Sequence, residues 1–290
     1  METESITSAA ASGDVALLRR LLLDGADVDA RDENGATALH TAAYWNQVDV
    51  VRVLIEGGIS IHATDNQGAT ALHWAAIYGS VGCARLLLEE GANNHATNNT
   101  GDSVLHLAVA RWMGAEIASL LLENGADLNA RNMRDETPLL RAASEGCVDA
   151  VRFLVDRGAD LCATNRDGET ALHCVAWGGQ VEIVQLLLDS GVPVQVESKH
   201  GKTALDVLLS NDDMSFSRRV STAKLLLQYG AKPTDGSLVE SSDMRSCLEL
   251  WQRQREEGVP LVEIPEEIVR AGASALQAFA DRISISGPLH

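Results

Sequence analysis

Four histidines stand at matched places in this chain: His40, His73 and His106 follow one another at steps of 33 residues, and His173 lies 67 residues further on. Imidazoles at a repeated spacing are what a metal centre or a general acid–base catalyst would use. His62 and His95 form a second pair at the same step, in a row continued by Asp29, Asn129 and Cys162. The spacing itself argues against chelation. A step of 33 residues is the length of one stacked unit, and equivalent positions on neighbouring stacked helices lie about 8–10 Å apart, whereas zinc holds imidazole nitrogens at about 2.0–2.1 Å. The five cysteines, Cys83, Cys147, Cys162, Cys174 and Cys247, are odd in number and form no CxxC pair. They are expected as small, mostly buried thiols, with neither a disulfide framework nor a zinc site. No P-loop, dinucleotide fingerprint, nucleophile elbow or HExxH occurs, so no catalytic residue, metal or cofactor is expected.

The segments that carry these histidines repeat with them. Gly35-Ala36-Thr37-Ala38-Leu39-His40 returns as Gly68 to His73, as Gly101-Asp102-Ser103-Val104-Leu105-His106, and as Gly168-Glu169-Thr170-Ala171-Leu172-His173. A second marker keeps the same period: Gly25-Ala26-Asp27, Gly58-Ile59-Ser60, Gly91-Ala92-Asn93, Gly125-Ala126-Asp127 and Gly158-Ala159-Asp160, each after an apolar run. Two markers at one period predict a stacked array that presents a surface. Within residues 32–64, Asp32-Glu33-Asn34-Gly35 predicts a turn, and Thr37 caps a first helix over about Ala38–Trp45 with Leu39, Ala42 and Ala43 packed. A second helix over about Val48–Glu56 buries Val50, Val51, Leu54 and Ile55, and Gly57-Gly58 ends it.

Turn, Thr-x-Leu-His-x-Ala phrase and paired helices together resemble the ankyrin repeat family, over roughly residues 1–236. The resemblance implies an all-α ankyrin-repeat solenoid of about seven helix-turn-helix units with short β-hairpin-like turns, followed by a C-terminal helical tail over 237–290. It also implies that the repeated histidine bonds backbone between units. The first unit, to about Arg31, lacks the turn phrase and is expected as a cap; full units follow at about 32–64, 65–97, 98–131, 132–164 and 165–197. The last unit begins near Ser198, has Asp206 in place of the histidine, and carries its surplus residues near 211–219, read as a loop. Residues 98–131 hold one extra residue near Trp112-Met113, and the next unit has Asp135 for the turn glycine and Leu140 for the histidine. In the tail, Met244, Cys247, Leu248 and Trp251 share one face of an expected helix that covers the end of the array.

The formal charge of −18 and pI near 4.7 disfavour nucleic acid and anionic membrane surfaces, and favour a neutral or basic protein partner for a chain that is monomeric alone. No segment reaches 18 consecutive apolar residues and the start is acidic, so a cytoplasmic or nuclear location is expected.

Binding is expected on the side that variable first-helix positions and turn tips form, which in ankyrin proteins is the concave face. Trp45, Trp74 and Tyr78 are the aromatic candidates there, since tryptophan and tyrosine are over-represented at binding hot spots. Tyr44 and Trp177, one position earlier in the helix than Trp45 and Tyr78, are expected as packing residues. Polar specificity is assigned to Asp32, Glu33, Asp65, Gln67, Asn98, Asn99, Arg111, Arg131, Arg134 and Arg166, a row that runs from acidic to basic. Asn129 resembles the asparagine that oxygen-dependent hydroxylases modify in ankyrin proteins. The function expected is non-catalytic protein binding as adaptor, scaffold or inhibitor. The alternatives are a small-molecule-binding or catalytic accessory protein using the aromatic face, and an adaptor whose tail recruits an effector.

Overall fold

Polar N-caps such as Thr37, Thr70 and Ser103 start short helices, and glycines at left-handed backbone such as Gly79 and Gly146 end several of them. The computed structural model describes residues 5–110, 114–211, 214–232 and 234. Among them are α1 (Ile6–Ser12), α2 (Val15–Leu23), α3 (Ala38–Tyr44), α4 (Val48–Glu56), α5 (Ala71–Tyr78), α6 (Val81–Glu89), α7 (Val104–Val109), α8 (Gly114–Glu123), α9 (Pro138–Glu145) and α10 (Val148–Asp156). There follow α11 (Ala171–Gly178), α12 (Val181–Asp189), α13 (Ala204–Leu209) and α14 (Phe216–Gln228). The chain falls into two compact units that divide between Asp160 and Leu161. The candidate tail helix with Met244, Cys247, Leu248 and Trp251, and the irregular step at Trp112-Met113, lie outside the described residues.

In the first unit the odd-numbered helices form one layer, α1 against α3, α3 against α5, α5 against α7 and α7 against α9, and the even-numbered helices form the other. Small residues permit the close approach: Ala42, Ala43, Ala75, Ala76, Ala108, Ala142 and Ala143 are fully or almost fully buried, between leucines such as Leu39, Leu54, Leu72, Leu87 and Leu121. Short antiparallel bridges, Arg31 with Thr37, Thr64 with Thr70 and Thr97 with Ser103, close the turns. In the second unit α11 packs on α13, and α12 on α14.

The turns stack through their tips. Asn66 N–H donates to the Asn34 carbonyl at 2.9 Å, Asn99 N–H to Gln67 at 2.9 Å and Met133 N–H to Thr100 at 3.0 Å. Asp135 keeps the turn at the cost of a left-handed backbone, φ 57°, which aspartate tolerates better than most side chains.

One element departs from expectation. The stretch 211–219 is not all loop, because α14 starts at Phe216 and takes in Arg218 and Arg219. Val220, Ala223, Leu226 and Leu227 are buried at helical spacing, which holds this polar first turn in the helix.

Candidate functional site

Three of the four repeated histidines tie one repeat to the next. The Thr37 backbone N–H donates to His40 Nδ1 at 3.1 Å, so that nitrogen carries the lone pair and Nε2 carries the proton, which it donates to the Ala69 carbonyl of the next repeat at 3.0 Å. His106 Nε2 reaches the Glu136 carbonyl at 2.9 Å in the same way, and in the second unit His173 Nε2 reaches Lys202 at 3.0 Å. His73 is the exception. Its Nδ1 accepts from Thr70 N–H at 3.1 Å, but its buried Nε2 makes no well-formed hydrogen bond among the described residues, and the nearby Asp102 backbone only partly offsets the burial. Burial lowers the proton affinity of His40, His73 and His106, furthest for His73, to about 4.

Asp206 performs the equivalent task with opposite polarity. Its carboxylate accepts from Thr203 N–H at 2.8 Å and the Thr203 hydroxyl at 2.7 Å, and then from Thr234 N–H at 3.1 Å and the Thr234 hydroxyl at 2.7 Å. A segment that offers donors follows, where the histidine repeats are followed by a carbonyl. Cys83 is buried and burial pushes its pKa up to about 12; Cys162, against the expectation of mostly buried thiols, is exposed.

On the first-helix side of the first unit, the structure brings Trp45, Trp74 and Tyr78 together around Tyr44. Ring centroids lie 4.9 Å apart for Tyr44 and Trp45, 6.3 Å for Tyr44 and Trp74, 4.2 Å for Tyr44 and Tyr78, and 6.1 Å for Trp74 and Tyr78. Tyr44 is the hub. Trp45 and Tyr78 occupy the same place in successive repeats, the last before a left-handed residue, and are 55% and 49% exposed. In one repeat that residue is Gly79 and in the other Asn46, at φ 52°, whose Oδ1 accepts from Cys83 N–H at 3.1 Å. Asn46 escapes notice in the sequence unless aligned on Gly79. The Trp45 indole N–H and the hydroxyls of Tyr44 and Tyr78 make no hydrogen bond among the described residues.

Trp74 is held more firmly. Its indole N–H donates to Asp65 Oδ2 at 2.8 Å, and its ring meets the His40 ring edge-on at 5.5 Å. Trp177, expected as a packing residue, is instead 56% exposed, in the second unit.

Several of the polar candidates are committed to turns. Asp32 Oδ1 accepts from Asn34 and Ala36 N–H, Asp65 Oδ1 from Gln67 and Ala69, and Asn98 Oδ1 from Thr100 and Asp102. Asn99 Nδ2 donates to the Asn66 carbonyl at 3.1 Å. These four side chains serve the array first: the Asx turns engage one oxygen each of Asp32, Asp65 and Asn98, and Asn99 gives its amide donor to the neighbouring turn. The Glu33 carboxylate, the Gln67 amide and the Arg134 guanidinium are exposed and make no side-chain bond among the described residues. Arg131 Nη1 donates to the Asp135 carbonyl at 2.9 Å. Arg166, exposed, belongs to the second unit, where its carbonyl accepts from Lys199 Nζ at 2.6 Å. Arg111 lies outside the described residues. Asn129 is exposed, and its Oδ1 accepts from Asp160 N–H at 2.9 Å.

Comparison with known proteins follows the same architecture. Family models described as ankyrin repeats match residues 6–98 (three copies), 100–133 (one repeat) and 139–188 (many copies). The crystal structure of the human ASB11 ankyrin repeat domain is similar at 29% identity and a TM-score of 0.67, over 79% of this chain and 99% of that one. The ankyrin repeat domain of Bcl-3, described as a unique member of the IkappaB protein family, is similar at 30% identity and a TM-score of 0.64, over 77% of this chain and 97% of that one. No curated protein matches the sequence. Repeat phrase, paired helices, the histidine bridges between successive repeats and these likenesses agree: the chain belongs to the ankyrin repeat family.

Proposed function

We propose that this chain is a non-catalytic protein-binding module, an adaptor, scaffold or inhibitor, whose partner docks on the ring cluster of Tyr44, Trp45, Trp74 and Tyr78. Ankyrin repeats are in general protein–protein interaction modules. The observation that carries the reading for this chain is the exposure of Trp45 and Tyr78, at 55% and 49%, on a framework that fixes them. Large rings left in water cost solubility and give nothing to the fold, and rigid aromatic side chains lose little entropy when a partner covers them. The four rings touch one another, at centroid distances of 4.2–6.3 Å, which favours a flat contact with a partner over a small molecule held between them. Glu33, Gln67 and Arg134 present exposed polar groups at the turn tips that make no side-chain bond among the described residues, Arg131 and Arg166 add exposed positive charge, and a cytoplasmic or nuclear setting suits the reading. Asn129 stays a proposed hydroxylation site, checked by an oxygen-dependent mass increase of one oxygen atom.

Affinity capture from native extract, with the intact chain beside a Trp45→Ala, Tyr78→Ala variant of unchanged circular dichroism, tests the proposal. Proteins held by the intact chain and released by the variant are expected. Identical captures by both would remove the ring cluster from the account.

A further inference from the structure

The ring cluster sits in an acidic stretch of the chain: residues 1–110 carry 14 carboxylates against five arginines and no lysine. Two of these carboxylates act at the cluster itself. Asp65 Oδ2 holds the Trp74 indole at 2.8 Å, and both Asp65 and Asp32 exert their charge on the His40 ring, 5.5 Å from that of Trp74. Arg31, the cation that acts on the same histidine, has its Nη1 on the carbonyls of Gly35 at 2.8 Å and Thr64 at 2.5 Å. Glu33 adds an exposed carboxylate with no bond among the described residues.

Aromatic faces in a negative field attract cations, because the ring quadrupole places negative charge on the face and the carboxylates add to it. The geometry also selects the kind of cation. A methylated ammonium needs rings set apart to enclose it, and here the Tyr44 and Tyr78 centroids are 4.2 Å apart, with Trp45 at 4.9 Å from Tyr44. A planar guanidinium needs only one open face. Trp45 and Tyr78 both offer exposed rings, and arginine stacks on such faces better than lysine does.

We infer that the ring cluster docks an arginine-bearing basic segment of a partner protein, with guanidinium groups stacked on Trp45 and Tyr78 and their charge balanced by the acidic repeats around them. The inference rests on the protein-binding reading above and narrows it to one chemistry. Steering by the acidic field makes the association fast and salt-sensitive.

The test uses the full chain and four labelled twelve-residue glycine–serine peptides that differ only in carrying arginines, lysines, leucines or glutamates, read by fluorescence anisotropy. The expected order is arginine, then lysine, with leucine and glutamate peptides at least about five-fold weaker than arginine, and with binding weakened by added salt. Trp45→Leu with Tyr78→Leu keeps apolar area but removes the ring faces, and is expected to weaken the arginine peptide about five-fold or more. Equal binding of leucine and arginine peptides, binding indifferent to the double substitution, or no binding at millimolar arginine peptide overturns the inference. The peptide comparison in the unsubstituted chain holds even if the double variant misfolds. A protein captured through Trp45 and Tyr78 that the arginine peptide does not displace leaves the protein-binding reading standing and removes this one. Loss of all ring-dependent capture removes both.

Discussion

Asp65 and Trp74, nine positions apart, are joined at 2.8 Å by the indole N–H, while the other oxygen of the same carboxylate closes the turn. One side chain thereby shapes the turn and aims a ring of the candidate binding surface. Asp65→Asn separates the two tasks, because Asn98 and Asn132 already close equivalent turns through their amide oxygen. The amide NH2 would then face the indole N–H. The substitution is expected to lower stability by about 1 kcal/mol and to weaken partner binding, measured by chemical denaturation and titration of a captured partner. Unchanged affinity would show that Trp74 needs no anchor.

Acid should loosen the stack. His40, His73 and His106 have proton affinities below the ordinary value of 6.5, His73 at about 4. Between those values the unfolded chain binds protons that the native chain does not, so stability is full above about pH 6.5 and is lost as the pH falls toward 4. At about 1.4 kcal/mol per pH unit, His73 alone accounts for about 3 kcal/mol. The melting temperature is expected to fall from pH 7.5 to pH 5, and to fall less in His73→Gln, which separates this effect from relief of repulsion among the carboxylates. A melting temperature that stays level or rises over that range contradicts the account.

Burial differs sharply between leucines of similar helices. Leu87 is fully buried and Leu23 is 87% exposed. Leu87→Ala is expected to cost about 2–5 kcal/mol and Leu23→Ala under about 0.5 kcal/mol, by urea denaturation. Equal effects would mean that neighbour-to-neighbour packing is not what stabilises the array.

Asp206 gives a test against the repeat pattern. A histidine there would satisfy Thr203 N–H through Nδ1 but would point its Nε2 proton at the donors of Thr234. Asp206→His, although it restores the family residue, is expected to lower stability by about 1–2 kcal/mol. A rise in melting temperature would show that the Thr234 bonds contribute nothing.

Much of this was legible in the residues, for reasons that can be named. The bounds of α4 could be read from Val48–Glu56 because Gly57-Gly58 stops the helix and the apolar residues keep its period. Trp45, Trp74 and Tyr78 could be assigned to first helices of successive repeats, but how closely their rings approach could not be read from the residues. Other features depend on contacts far apart in sequence. The start of α14 at Phe216 was hidden because Ser217, Arg218 and Arg219 read as polar loop until Val220 and Ala223 are seen to be buried. Tyr44 as hub shows only once the rings are placed, and although the turn at Asp32 was readable, that Asp65, Asn98 and Asn99 are likewise engaged shows only once backbone partners are placed. Trp177 was misjudged because residue type alone does not say whether a neighbour covers it.

The central claim, that a protein partner docks on the rings, is tested most directly by position. A photo-crosslinking residue is placed at Tyr78 in one preparation and at Arg52, on the exposed side of α4 in the other helix layer, in a second. With the captured partner bound, the account predicts crosslinks from position 78 and few from position 52. Crosslinks from position 52 alone, or equally from both, would contradict it.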